Sequence, residues 1–302
     1  MPHAALSTGW MRGHYEMLAE LVASVATAGF HSLELSRNVT VAMLAAFPPG
    51  SAPVLSLHAP CPNAADSDDG IQLAATEEDQ RRAAVALVKA TIDAAVRYGA
   101  GVVVVHVGTV LIPPMLERRL RELYRQGAAG TRAYEQALQD ITVARVLRRE
   151  PHYGAALRSL DELCQYARPR GVRLGLENRV GYNEIPGFEE MKDLLHTYDA
   201  SVVGYWHDVG HAHVLETLGF ATQKAWLEAC GQRLIGLHLH DVQGIDDHRA
   251  PGSGDVDLTM LRPHLRPDVI RVCEFDRTLS LADIRAGHEH LIRLGLVDAP
   301  RA

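Results

Sequence analysis

Leu234-Ile235-Gly236-Leu237-His238-Leu239-His240-Asp241 is an apolar run that ends in a cluster of ionisable side chains. A short aliphatic stretch of this kind reads as a β-strand, and strand geometry sends residues two apart to the same face. His238 and His240 therefore share a face and the leucines take the other, with His238 deeper and His240 nearer the end of the strand. The same grammar recurs along the chain: SLHAP at 56–60, VVVVHVG at 102–108, LGLENR at 174–179, YWHDVGH at 205–211 and VCEF at 272–275. One or two such runs could simply be strands with polar ends. Six runs that end alike in His, Asp or Glu imply a rim, where the C-terminal ends of parallel strands bring together side chains far apart in sequence.

Between these runs lie longer helical patterns, so the chain reads as repeated βα units, an α/β protein of the (β/α)8 TIM-barrel class. Strands are expected at 6–10, 32–36, 54–58, 102–106, 173–177, 202–207, 234–240 and 269–274. Helices are expected at 15–28, 39–46, 76–98, 155–167, 188–198, 224–230, 258–264 and 281–294. The pattern predicts one domain over residues 1–302 with a helical insertion at about 107–153, punctuated by Pro113-Pro114, Gly127–Gly130 and Pro151. That insertion should lie outside the barrel and partly cover the rim. Its arginine-rich segments, 117–126 and 145–150, read as solvated helix faces.

With 302 residues, 47% of them hydrophobic and 22% charged, the chain can bury a large core. A formal net charge of −7 offers a polyanion no overall attraction, so nucleic acid is not the expected partner. Four widely spaced cysteines in apolar contexts read as reduced core thiols. The N-terminal residues lack a signal-peptide pattern and no run is long and apolar enough for a membrane span, so the expectation is a cytoplasmic protein with no membrane contact. A homo-oligomer is compatible with everything above.

Chemistry concentrates at the strand ends. In 269–275, alternation aligns Ile270, Val272 and Glu274 on one face, which points Glu274 into the barrel if the apolar pair fills its centre. Glu177 ends its strand in a similar way. Gathering Glu177, Asp208, Glu274 and His238 in a partly dry site would make three carboxylates repel one another, and a divalent cation removes that cost. An oxygen-rich set with one imidazole suits Mn²⁺, Mg²⁺ or Co²⁺ and accommodates Zn²⁺. His58 and His106 read either as buried histidines bonded to carbonyls or as contacts to substrate or a further metal. Arg179, Arg249 and Arg37 read either as grips for an anionic substrate group or as structural ion pairs. Gly252-Ser253-Gly254 is a tight turn or a weak phosphate-cradle signal, and His207, His213 and His240 are placed to orient ligands by hydrogen bonds. Tyr205 and Trp206 read as core or as the pocket floor.

Glu177-Asn178-Arg179, His207-Asp208-Val209-Gly210-His211-Ala212, His238-Leu239-His240-Asp241, the segment Asp246-Asp247-His248-Arg249-Ala250-Pro251-Gly252-Ser253-Gly254 and Glu274, in that order, resemble the xylose isomerase-like barrel superfamily. This superfamily includes sugar-phosphate isomerases and epimerases and, more distantly, endonuclease IV. Resemblance to the isomerase and epimerase branch implies Glu177, Asp208, His238 and Glu274 as ligands to one divalent metal, with His211 facing substrate or an outer metal position. It implies proton exchange between neighbouring carbons of a sugar, sugar phosphate or related keto-polyol, with Glu177 and Glu274 as acid and base. A keto-polyol dehydratase begins with the same proton abstraction. Resemblance to endonuclease IV implies instead a three-zinc phosphodiesterase on abasic DNA, with His58, His106, His211, Asp246 and His248 joining the ligand set. No equivalent of its DNA-inserting loops is evident in this sequence.

Overall fold

The computed structural model describes residues 3–63 and 71–299. Eight barrel strands run in chain order: β1 (Ala5–Ser7), β2 (Leu33–Leu35), β3 (Val54–His58), β4 (Val102–Val105), β5 (Arg173–Glu177), β6 (Val203–Asp208), β7 (Leu234–Leu239) and β8 (Ile270–Cys273). Each pairs in parallel with its sequence neighbours, and β1 pairs with β8, so the sheet closes into a barrel without an edge. The expected (β/α)8 architecture is the observed one. The first two and last three residues of the expected 1–302 span lie outside the described residues.

The helices are α1 (Leu18–Ala26), α2 (Val41–Ala45), α3 (Glu78–Tyr98), α4 (Pro114–Arg125), α5 (Arg132–Ala167), α6 (Phe188–Thr197), α7 (Val209–Thr217), α8 (Gln223–Cys230) and α9 (Leu281–Arg293). Several features differ from the sequence reading: the first strand stops at Ser7 and Thr8–Met11 turn as a 3-10 helix, and in the 145–150 segment Arg145 is buried against Glu190 instead of solvated. Pro151 does not interrupt: α5 runs through it for 36 residues. Proline removes one N–H from such a helix, and the carbonyl this orphans belongs to the solvent-exposed residue Leu147, where water can serve it. Residues 258–264 form 3-10 turns rather than an α-helix, in keeping with the internal Pro263. Helix α7 was absent from the reading because its first turns are buried on most sides and show no amphipathic stripe.

Alternation decides what fills the barrel. Ala5, Val102, Val104, Trp206, Ile235 and Val272 form an inner cluster. Trp206 fits because Gly175 and Gly236 face it: a Cβ on Gly236 would lie 2.1 Å from its indole ring and one on Gly175 3.1 Å. Residues two further along those strands, Glu177 and His238, thus stand on the same inward face, directly above the tryptophan floor. The first half of α5, with α4, lies outside the barrel: Leu120, Tyr134 and Ile141 pack on Val214 of α7, on Leu218 just past its C-terminal end, and on Val242 and Ile245 beyond β7. Both contacts lie past strand C-terminal ends, so this excursion covers one side of the rim.

Candidate metal centre

Four acidic side chains converge above Trp206. Glu34, Glu177 and Asp208 are almost completely buried, whereas the Glu274 side chain is 20% exposed. Between them stands His238. Its Nε2–H donates to Glu34 Oε1 at 3.1 Å, and Glu34 in turn accepts from Ser56 Oγ at 2.7 Å. In the neutral ring that bond leaves Nδ1 as the lone pair, buried and without a hydrogen-bond partner among the described residues. It faces Glu274 Oε2 at 3.0 Å, Asp208 Oδ2 at 3.4 Å and Glu177 Oε1 at 3.7 Å.

Acceptors this close repel unless a cation lies among them. The separations are those between neighbouring donors of a shell with metal–ligand distances of about 2.1 Å. Glu177, Asp208 and His238 donor atoms all lie within 4.8 Å of one another. The residues therefore fit a divalent ion. The same demand for positive charge shows in the protonation equilibria: burial works against an imidazolium at His238, yet Glu274 and Glu34 raise its pKa well above the ordinary value. A proton and a metal ion would compete for the same lone pair.

Neighbouring groups fix the ligands in place. Asp208 is the N-cap of α7, accepting the His211 amide at 2.7 Å, so the helix start sets its carboxylate. Asn178 clamps its backbone, accepting from Asp208 N–H and donating to Asp208 O, both at 2.8 Å. His240 accepts the His248 amide at Nδ1 (2.9 Å), which fixes its tautomer and directs Nε2–H to Asp208 Oδ1, also 2.9 Å away. Gly210 lies against the His240 ring, where any Cβ would come within 2.0 Å. This contact explains the glycine of the HDVGH motif.

Glu177 is held from two sides. Oε2 receives His58 at 3.1 Å and lies 2.8 Å from His106 Nε2, whose lone pair is taken by the Arg179 guanidinium, while Oε1 receives Arg179 and His211, each at 3.1 Å. Burial raises its pKa, but His106 and Arg179 outweigh this and hold the carboxyl well below the usual range. Glu274 is likewise lowered against its burial, by His238 and His248. His106 is pushed down to about 4 by burial and by Arg179. For His248 burial is outweighed by Asp247 and Glu274, which raise it to about 9.

Of the sequence candidates, His58, His106, Glu177, Arg179, Asp208, His211, His238 and Glu274 are brought together. His248 stacks on His240 with ring centroids 4.3 Å apart. Arg249 is half-buried, and its Nε–H has no partner among the described residues. Asp246 is not brought in: its side chain is 72% exposed and pairs with Arg125 outside the pocket. Asp247 takes the inward place, 3.1 Å from His248 and 3.9 Å from His211. The Gly252 and Gly254 amides both donate to Asp241 Oδ2, at 2.8 and 2.9 Å, so this turn is already filled by a carboxylate and offers no phosphate cradle. Glu34 is the ligand-orienting residue that the sequence reading missed; a lone acid between leucines in a three-residue strand was its only signal.

A family model described as "Xylose isomerase-like TIM barrel" matches residues 25–294. Two curated relatives are uncharacterized proteins. One, MJ1311 of Methanocaldococcus jannaschii, is 28% identical over 33% of this chain and 34% of its own; the other, y4fM of Sinorhizobium fredii, is 27% identical over 59% and 47%. The chain thus spans about a third to a half of the length of the curated relatives it matches. Solved structures that it resembles include a D-tagatose 3-epimerase-like protein (TM-score 0.64, 18% identity, 98% and 97% of the two chains) and the 3-keto-D-glucoside 4-epimerase YcjR from E. coli (0.66, 17%, 98% and 100%). A third is the IolI protein with a bound zinc atom (0.64, 15%, 97% of each chain). At such identities the likeness establishes the fold. No helix among the described residues is long and apolar enough to cross a membrane.

Proposed function

The chain belongs to the xylose isomerase-like TIM-barrel family, and from that premise we propose a divalent-metal-dependent isomerase or epimerase of a sugar, sugar phosphate or related keto-polyol. The observation that carries the reading is the buried, unpartnered His238 Nδ1 facing three carboxylates. Glu177, Asp208, His238 and Glu274 would hold the ion. When bound, it would polarise neighbouring hydroxyl and carbonyl oxygens of the substrate and so acidify the intervening C–H.

The proton is moved by the chain's own residues. Glu274 is the more exposed of the two catalytic glutamates and is kept ionised, so it is ready to accept a proton from a carbon above it. Glu177, nearly fully buried and bonded on both oxygens, is the fixed partner on the other side. Return of that proton from Glu274 to the neighbouring carbon, with a hydroxyl proton passing between the two oxygens, gives the isomer; epimerisation requires Glu177 to enter the cycle protonated and to hand its proton to the opposite face, which leaves the protonation of the two carboxyls exchanged; loss of a hydroxyl as water instead would make the enzyme a dehydratase. His58, His106, His211, His248, Arg179 and Arg249 line the approach as substrate contacts, with Asp247 in place of Asp246. Small polar substrates suit a rim so dense in hydrogen-bond donors. Abasic DNA is disfavoured by the net charge of −7 and by the outward turn of Asp246.

The test loads purified protein with Mn²⁺ and incubates it with a panel of ketoses and their phosphates in deuterated solvent. Exchange of a carbon-bound hydrogen with one ion per chain supports the reading. About three zinc ions per chain with incision of abasic duplex would replace it with the nuclease.

A further inference from the structure

Beside the proposed metal site lies a second cluster of donors that shares Glu177 with it. One donor atom from each of His58, His106 and Glu177 also lies within 4.8 Å of the others, a spacing that would suit another ion, and Glu177 Oε2 is 3.1 Å from His58 Nε2 and 2.8 Å from His106 Nε2. This cluster faces a guanidinium. Arg179 Nη1 is 2.6 Å from His106 Nε2 and 3.1 Å from Glu177 Oε1. We infer that Arg179 is a built-in cation that takes the second metal's place and limits the rim to one ion. The inference rests on the functional reading for the identity of the first ion, and on the contacts of Arg179 for the rest.

An imidazole nitrogen has one lone pair. While the guanidinium N–H occupies His106 Nε2, that lone pair cannot ligate a metal. A divalent ion placed there would also meet a fixed positive charge within contact distance, in a pocket from which water is largely excluded. Arg179 is not free to swing aside. Its Nε donates to Glu184 Oε1 at 3.0 Å, its side chain is 11% exposed, and Glu184 is held by the Gly181 amide at 2.7 Å on the other oxygen. Glu184 belongs to a two-residue strand paired with Gly108–Thr109, immediately beyond His106, so clamp and target are parts of one local structure. Arginine stays charged at any physiological pH, which makes the substitute permanent.

Zn²⁺ alone is the probe. Metal-free wild type, Arg179→Met, Arg179→Lys and the double variant Arg179→Met/His106→Ala are titrated by calorimetry, and bound zinc is counted by elemental analysis after desalting, with folding checked by circular dichroism. The expected counts are one ion for wild type, two for Arg179→Met, one for Arg179→Lys, which keeps a positive charge, and one for the double variant. Two ions in wild type, or no gain in folded Arg179→Met, overturns the inference. Should that variant fail to fold, Arg179→Gln gives the same comparison. The readout is the gain of one His106-dependent ion on losing the guanidinium; a change from zero to one would sink the functional reading and leave this inference standing.

Discussion

Two buried charge clusters lie within this fold, and they are built on opposite principles. In the first, between α5 and α6, Glu190 is met by Arg145 and Arg149, each at 2.7 Å, and by the Gly187 amide at 2.6 Å. Both carboxylate oxygens are satisfied by the protein itself. At the rim, four carboxylates surround histidines, and one buried ring nitrogen finds no partner. Both clusters lower carboxyl pKa values against burial. The difference lies in the acceptors: the helix cluster sets two guanidiniums against one carboxylate and leaves a donor, Arg145 Nε–H, without a partner among the described residues, while the rim leaves an excess of acceptors that an added cation can use. A carboxylate whose acceptors are filled stabilises and orients; an excess of acceptors marks a working site.

Mutation should separate the two clusters. The largest expected effect is at the rim: Glu274→Gln should reduce turnover about 10²–10⁴-fold, with solvent exchange lost in parallel, because a positioned general base is removed. Thermal unfolding of the metal-loaded variant should stay close to wild type. Full solvent exchange in metal-loaded Glu274→Gln and Glu177→Gln would place the proton-transfer role elsewhere, with His211 and His240 next in reach.

The converse change is Glu190→Ala. It strands two guanidiniums, one of them almost fully buried, and should cost about 3–5 kcal/mol in denaturant unfolding while leaving the count of bound metal unchanged. The pH dependence follows from the same pair. Burial raises the Glu190 pKa, but Arg145 more than offsets it and the folded value is lowered. Its contribution is therefore complete above the unfolded value of about 4.3 and is lost as pH falls through the folded one. Glu190→Gln should flatten the acid limb of a stability profile; an unchanged limb would mean that Glu190 contributes little to it.

The smallest effect should come from Glu34→Ala, which removes the partner that orients His238 without touching substrate. Metal affinity is expected to fall about 10–100-fold, with turnover at saturating metal far less affected. Equal affinity in the variant would show that His238 is positioned by packing against Trp206 alone.

Much of this architecture is written locally. Period-two alternation in β7 and β8 was enough to put His238, His240 and Glu274 on one inward face, and six strands with alike endings were enough to imply a rim. That works because strand geometry depends on neighbours along the chain, and because a parallel barrel has one end at which its strands finish. Two sites show where such reasoning stops. The hairpin beyond β7, in which Asp241–Gln243 pairs antiparallel with Asp246–Arg249, carries a register shift and a positive φ of 59° at His248, so alternation no longer predicts facing, and Asp247 rather than Asp246 turns inward. Glu34 has no local pattern to mark it, and only the fold of β2 and β7 places it 3.1 Å from His238, 204 residues away. The sequence by itself determined the eight barrel strands and which side chains at their C-terminal ends meet at the rim, since both follow from local periodicity. Only the tertiary structure decided which residue orients His238, which ring nitrogen lacks a partner and which arginine faces the second donor cluster, because those are properties of distances between strands that the chain brings together only on folding.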